Sequence, residues 1–397
     1  MSVSGIHGVH GVHGVHGVHG VNGVHGVHGV HGVHASGDSS PMLSSALTLT
    51  AEALMGYWDG AATGYWTGPA SFGWSKSTDQ ELRRLDALDP SARITVLCHE
   101  ALGLYDVRPD EGADKIDLRI GGTTALRLQP PTLAALETQL QYLRSASDLR
   151  SDRMPEIMAQ QGDMLSFFGA QQKLNWNRKR WTMILLHALY IAVSTQEMRI
   201  KHFASVPRPI DLSPLVQPVI QTPGHSSYPS GHATEAFAFA TLIAALRHAS
   251  APPVAGKPKA AFTTAILGQL AVAADASRSE QPNPADPLVQ LFRLAARIAD
   301  NRTVAGVHFP VDSAHGALLG LGATLGLVAH CSGGEKGLPV QDANGTAWDR
   351  DFTLALWRDA LKSGEWASTA RYDIAKPATW HSLPAVWQAA VREWSSD

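Results

Sequence analysis

The chain has 397 residues, a formal net charge of -3, 44% hydrophobic and 17% charged residues. Such a length holds two average domains or one large helical one, and the near-neutral balance excludes an electrostatic case for nucleic acid as a partner. Two cysteines, Cys98 and Cys331, exclude a disulfide scaffold and read as buried thiols.

Residues 5–35 repeat Gly-Val-His, broken once at Asn22. A period of three fits neither a strand nor a helix, and no proline pre-sets a collagen-like backbone. A disordered tail and linker over residues 1–40 is expected. Its nine histidines would bind nickel, copper or zinc adventitiously. The N-terminus lacks the basic and apolar regions of a secretory signal, so a cytoplasmic protein is expected. The rings of Tyr57, Trp58, Tyr65, Trp66 and Trp74 read as packing anchors of an irregular segment.

Residues 78–104 read as helix with a break at Pro90, and 109–130 as a loop or short hairpin punctuated by Gly121-Gly122. Thr132 opens a run with Leu133, Leu136, Leu140 and Leu143 at helical spacing. Further helices are expected over 154–168 and 176–203. A proline-rich loop over 207–229 follows, then a helix capped by Ser230 and running to about residue 248. The last helices of the core fall at 261–275, 286–300 and 311–330. Strand signals are scarce, so the expected fold is all-α, a helical bundle. The expected organisation is a tail (1–40), an N-terminal helical region (41–169), a catalytic helical core (170–335) and a Trp-rich helical segment packed on the core (336–397). The uncharged stretches 181–196 and 313–334 read as buried core helices. The first is shorter than the roughly 20 residues of a span, and the second carries His315, His330 and several glycines. No membrane partner is expected, and Arg178-Lys179-Arg180 reads as a charged first turn facing water. The sequence leaves a homo-oligomer open.

Three elements carry chemistry. Lys201-x6-Arg208-Pro209 supplies two cations on a stiffened loop. Tyr228-Pro229-Ser230-Gly231-His232 supplies a helix N-terminus with a hydroxyl, close backbone approach and a positive dipole end. Arg302-x5-His308-x3-Asp312 supplies a third cation and a histidine whose tautomer an aspartate four residues on can fix. Burying a tetrahedral oxyanion needs several such donors together, and arginine offers a fork where lysine offers a point charge. Lys201, Arg208, Ser230, Gly231 and Arg302 are therefore expected to hold the oxyanion. His232 is placed for acid–base work, and His308, oriented by Asp312, for attack on phosphorus or coordination of vanadium. Glu235, one turn after His232, is expected to face away or pair with a basic residue.

The order and spacing of these elements resemble the signature of the superfamily that joins type 2 phosphatidic acid phosphatases, class A acid phosphatases and vanadium-dependent haloperoxidases. Asn301 stands where that signature usually has serine. The resemblance spans about residues 170–330 and implies a helical bundle. It implies that Lys201, Arg208, Ser230, Gly231 and Arg302 bind equatorial oxygens, with His308 the apical vanadium ligand or the phosphatase nucleophile. His232 would be the acid–base residue and Asp312 the orienting acid. Length, the long helical N-terminal region and the missing signal favour the haloperoxidase-like branch. That branch uses vanadate, hydrogen peroxide, a halide and a small organic acceptor. By the same resemblance His225 would mark a halide pocket of the bromide type, the other reading being a loop histidine in Thr-Pro-Gly-His. The alternative is a soluble, metal-independent acid phosphatase that takes a phosphate ester through a phosphohistidine intermediate.

Overall fold

The computed structural model describes residues 45–46, 49–50, 60–68, 70, 72–74, 76–252, 261–274, 287–378 and 381–395. The expected repeat tail and the Tyr57-Trp58 pair lie outside the described residues.

Local chemistry sets the helix boundaries. α1 spans Thr78–Asp86 and starts where Ser77 Oγ accepts from Gln80 N; α2 spans Pro90–Leu104 and starts where Asp89 accepts from Ala92 N at 2.7 Å. Pro90 is tolerated because it occupies the first turn, where its missing N–H has no intrahelical acceptor. α3 (Leu133–Ala146) is capped by Thr132. The single helix expected over 154–168 is two, α4 (Arg150–Gly162) and α5 (Leu165–Gln172), because Asp163 turns extended and its carboxylate accepts from Ser166 N. α6 spans Arg180–Ala204, α7 Gly231–Ser250, α8 Phe262–Ala273, α9 Pro287–Val304 and α10 Pro310–Cys331.

The all-α expectation is overturned by a five-stranded mixed sheet. β1 (Tyr105–Asp110), β2 (Lys115–Ile120) and β3 (Thr123–Gln129) form an antiparallel meander. β4 (Glu335–Asn344) then pairs parallel with β3, matching Leu126 to Gln341 and Gln129 to Asn344. β5 (Ala367–Ile374) closes the order antiparallel to β4, between α11 (Leu354–Ser363) and α12 (Ser382–Ser395). Period-two burial explains β2: Ile116, Leu118 and Ile120 are buried while Lys115, Asp117 and Arg119 are only partly covered.

One hydrophobic cluster runs from Leu85 to Trp394 and joins sheet and helices. At its centre α7 packs on α10. A Cβ at Gly316 would lie 2.5 Å from Ser230 O, and one at Gly320 would lie 2.1 Å from Thr234 O. The two glycines that interrupt the apolar run are thus what let the two backbones touch. α10 is the one helix among the described residues long and apolar enough to cross a membrane, and it is buried inside the protein as the core helix. Two local expectations fail. Lys179 is buried, donating to Glu393 O and lying over the Trp394 ring, so the basic first turn of α6 is not wholly in water. Tyr65, Trp66 and Trp74 are exposed by 91%, 67% and 81% and anchor no core.

Candidate oxyanion site

Four elements meet at the N-terminal ends of α7 and α10. Ser230 caps α7, its Oγ accepting from Ala233 N, and its own N–H donates to Asp312 O at 2.9 Å. That bond fixes the cradle to the first turn of α10. The first N–H groups of α7, at Gly231 and beyond, have no acceptor within the helix.

Arg208 is buried and reaches across the pocket. Its Nε donates to His225 O (2.9 Å) and its Nη1 to Val307 O (2.8 Å); Nη1 also lies 3.2 Å from His308 Nε2. Asp211 Oδ2 accepts from Arg208 N, pinning the turn that Pro209 begins. His308 Nδ1 lies 3.0 Å from Asp312 Oδ2, which also accepts from Phe309 N at 3.0 Å. A carboxylate only accepts, so Nδ1 carries the proton and Nε2 presents its lone pair to the pocket. Burial, then Arg208 and Lys201, hold His308 well below the usual imidazole range. Burial likewise lifts Asp312 to about 6, against the pull of Phe309 N–H and the two cations.

Lys201 is buried, and its ammonium donates to the carbonyls of Ser226 and Ser227 (3.1 Å each) and of Pro229. It lies 3.5 Å from Glu197. In this arrangement it staples the loop before the cradle and lends the pocket its charge. Desolvation brings its pKa down to about 8.

Arg302 is the least satisfied cation. It is 1% exposed, and only Nη2 is engaged, with Gln160 Oε1 (3.2 Å) and Ile157 O (3.3 Å); Nε and Nη1 are buried without a partner. Asn301, in the place of the usual serine, donates to the same Gln160 Oε1 at 2.9 Å and so orients it. His232 Nε2 lies 3.2 Å from Gln160 O, and both residues of that contact border the pocket. Gln160 belongs to α4, in the region that carries no recognisable motif. A small second cluster of Ile157, Val304, Ala305 and Val307 packs α4 beneath the loop to His308. The pairs Arg297–Glu156 and Arg153–Asp300 lock α4 to α9.

His225 Nδ1 lies 3.1 Å from Arg208 Nη2 and 3.1 Å from Ser226 O. A guanidinium only donates and a carbonyl only accepts, so the two contacts select opposite tautomers of His225, and Nε2 is buried without a partner in either. Burial, with Lys201 and Arg208 nearby, brings His225 down to about 3.

The structure thus brings together the site residues singled out in the sequence, places Glu235 beside them and adds one acid, Glu197. Glu197 is buried one turn before Lys201, and a Cβ on Gly231 would lie 2.7 Å from both its carboxylate oxygens. Glu235 is buried rather than facing away; burial and then Glu197 push its carboxyl well above the usual range, while Lys201 pulls the other way. The i,i+4 spacing of Glu197 and Lys201 on one helix was the available signal for the first acid. Gln160 had none.

Residues 181–333 match the family model of the PAP2 superfamily, whose members are generally phosphatases or haloperoxidases. The matched span begins in the first turn of α6, ends just past α10 and contains all three elements of the site. No curated protein matches the chain.

Proposed function

We propose that the chain is a vanadate-dependent, haloperoxidase-like enzyme that oxidises a halide, bromide by preference, with hydrogen peroxide and passes the product to a small organic acceptor. The observation that carries this reading is the pair of unspent Arg302 donors in a pocket that already holds Arg208, Lys201 and a neutral His308. A buried guanidinium with two unpartnered donor nitrogens is a costly arrangement that a tetrahedral oxyanion would complete. The residues therefore fit vanadate: Arg302, Arg208, Ser230 and the Gly231 N–H would hold its oxygens, and His308 Nε2 its metal. When bound, vanadate supplies a Lewis-acid centre at which peroxide becomes electrophilic toward halide.

The protein's own share follows from the contacts. Asp312 keeps the Nδ1 proton of His308 in place, and burial together with the surrounding cations keeps Nε2 unprotonated and able to bind. His232, held at Nε2 by the Gln160 carbonyl, is the group placed to take and return a proton at the cradle's edge. In the tautomer that accepts from Arg208, His225 offers an Nε2–H without a partner, a donor suited to a halide. The burial of Lys201, Arg208, Ser230, Arg302 and His308 favours small reactants over a bulky ester.

A second reading, a metal-independent phosphatase, is favoured by one feature. The lone pair of His308 Nε2 is also the nucleophile that a phosphohistidine route needs. The paired assay separates the two. One preparation, with and without vanadate, is given bromide and peroxide with a dimedone reporter, and separately a nitrophenyl phosphate. Vanadate-dependent bromination is expected, lost in His308→Ala. Absence of turnover with any halide, together with ester hydrolysis that vanadate inhibits, would replace the first reading by the second.

A further inference from the structure

Away from the oxyanion pocket, three segments meet at one point. Glu100 lies in the last turns of α2, His330 in the last turn of α10, and His381 immediately before α12. Each offers a metal-ligand atom, and these atoms lie within 4.8 Å of one another. Glu100 Oε1 is 2.8 Å from His381 Nδ1 and 3.7 Å from His330 Nε2. Zinc bonds of about 2.0–2.2 Å in a tetrahedron put ligand atoms roughly 3.3 Å apart, between those two values.

Helix capping accounts for part of this cluster. Glu100 accepts from Ser382 N at 2.7 Å and Leu383 N at 3.2 Å, neutralising the first turn of α12, and it takes the ring nitrogen of His381. Capping does not account for His330. That residue is 8% exposed, its Nε2 has no hydrogen-bond partner, and it stands beyond hydrogen-bond reach of the Glu100 carboxylate. Its ring meets that of His381 edge-on at 5.3 Å. A buried imidazole nitrogen turned toward a carboxylate and a second imidazole, yet bonded to neither, is what a metal ligand looks like without its ion.

We propose that Glu100, His330 and His381 form a zinc site. Two imidazoles and one carboxylate are a borderline N/O set that zinc accepts, with water in the fourth position. The ion would take the place of the proton between Glu100 and His381 and draw in the idle Nε2 of His330. The site is structural. It joins α2 of the N-terminal region and α12 of the C-terminal segment to the far end of α10. Eighteen residues of helix, about 27 Å, separate His330 from Asp312, so the ion takes no part in the oxyanion chemistry.

The test uses the full chain, stripped with a chelator and melted with and without zinc chloride. The histidine repeat is expected to bind zinc as well, so bound-metal counts do not discriminate; the readout is the zinc-dependent rise in Tm and its loss in variants. At zinc a hundredfold above Kd, a rise of about 3–5 °C is expected for the wild type. Glu100→Gln keeps an oxygen for the Ser382 N–H, and His381→Asn changes a partly exposed position, so both should fold and bind inorganic phosphate as the wild type does. The rise should vanish in both. A wild type without any rise, or a rise undiminished in both variants, overturns the proposal. Diffraction from zinc-loaded crystals should give anomalous density between the three side chains, and density confined to other positions overturns it equally.

Discussion

Arg302 is a residue whose removal should make the protein more stable and useless at once. It lies 1% exposed with Nε and Nη1 unpartnered, and burial lowers its pKa to about 10. Each unmet buried donor costs about 1–3 kcal/mol, so the two together burden the ligand-free fold by about 2–6 kcal/mol. Arg302→Met keeps most of the side-chain volume and removes that burden. It also loses the Nη2 bond to Ile157 O, while Gln160 Oε1 keeps its donor from Asn301. Losing that bond costs about 1 kcal/mol, which leaves a net stabilisation of about 1–5 kcal/mol. Ligand binding moves the other way. Two charge-assisted hydrogen bonds of about 1.5–3 kcal/mol each correspond to a loss of about 10²–10⁴-fold in affinity. Urea denaturation of the ligand-free proteins, with and without inorganic phosphate or vanadate, reads both effects. The wild type should gain stability with the oxyanion as mass action requires, and the variant should start higher and gain nothing. A variant that is destabilised yet still stabilised by phosphate would show that Arg302 is a structural pillar and that the anion sits elsewhere.

Asp312→Asn should leave the fold intact but lower turnover by about 10²–10⁴-fold, because an amide no longer enforces the Nδ1–H tautomer of His308; unchanged kcat would remove Asp312 from the orienting role. Gly231→Ala drives a Cβ to 2.7 Å from the Glu197 carboxylate. Overpacking of about 1–3 kcal/mol is expected, seen as a lower urea midpoint together with weaker oxyanion binding, and a neutral result would mean that Glu197 can swing away freely. Lys201, brought down to about 8 by burial, is charged below that pH and loses its proton above it. A bound anion favours the charged form, so phosphate affinity should weaken as pH rises from 8, by up to about tenfold per unit. Calorimetry showing a flat profile to pH 10 would take Lys201 out of the anion's field.

The three chemical elements were legible because their information is local. Each is a short run in which proline, glycine and a helix start fix where charged side chains project. Gln160 and the Arg297–Glu156 and Arg153–Asp300 pairs were not, because their meaning appears only when α4 lies against α9. The sheet was missed for two reasons. In β2 the alternation of Ile116, Leu118 and Ile120 was present, but prolines at 109 and 130 and the Gly121-Gly122 pair made the stretch read as a loop or a short hairpin, not as part of a five-stranded sheet. In β4, Pro339 and a mixed pattern hide a strand whose partner lies more than two hundred positions earlier, beyond any window of periodicity. Lys179 failed for a related reason, since the Trp394 ring that covers it comes from the other end of the chain.

The parallel pairing of β3 with β4 also constrains the order of assembly. Closing a loop from residue 129 to residue 341 costs chain entropy that grows with the logarithm of its length, and nothing repays it until the helices in between have condensed. Every residue of the oxyanion pocket lies inside that loop. A nascent chain that has emerged only to the end of α10 therefore holds all its chemistry but presents β3 as a bare edge over residues 126–129, without the neighbour they pair with. Such an edge invites pairing with another chain. Release of the last sixty residues is the step that seals it, so truncations there should aggregate before they lose a single catalytic group.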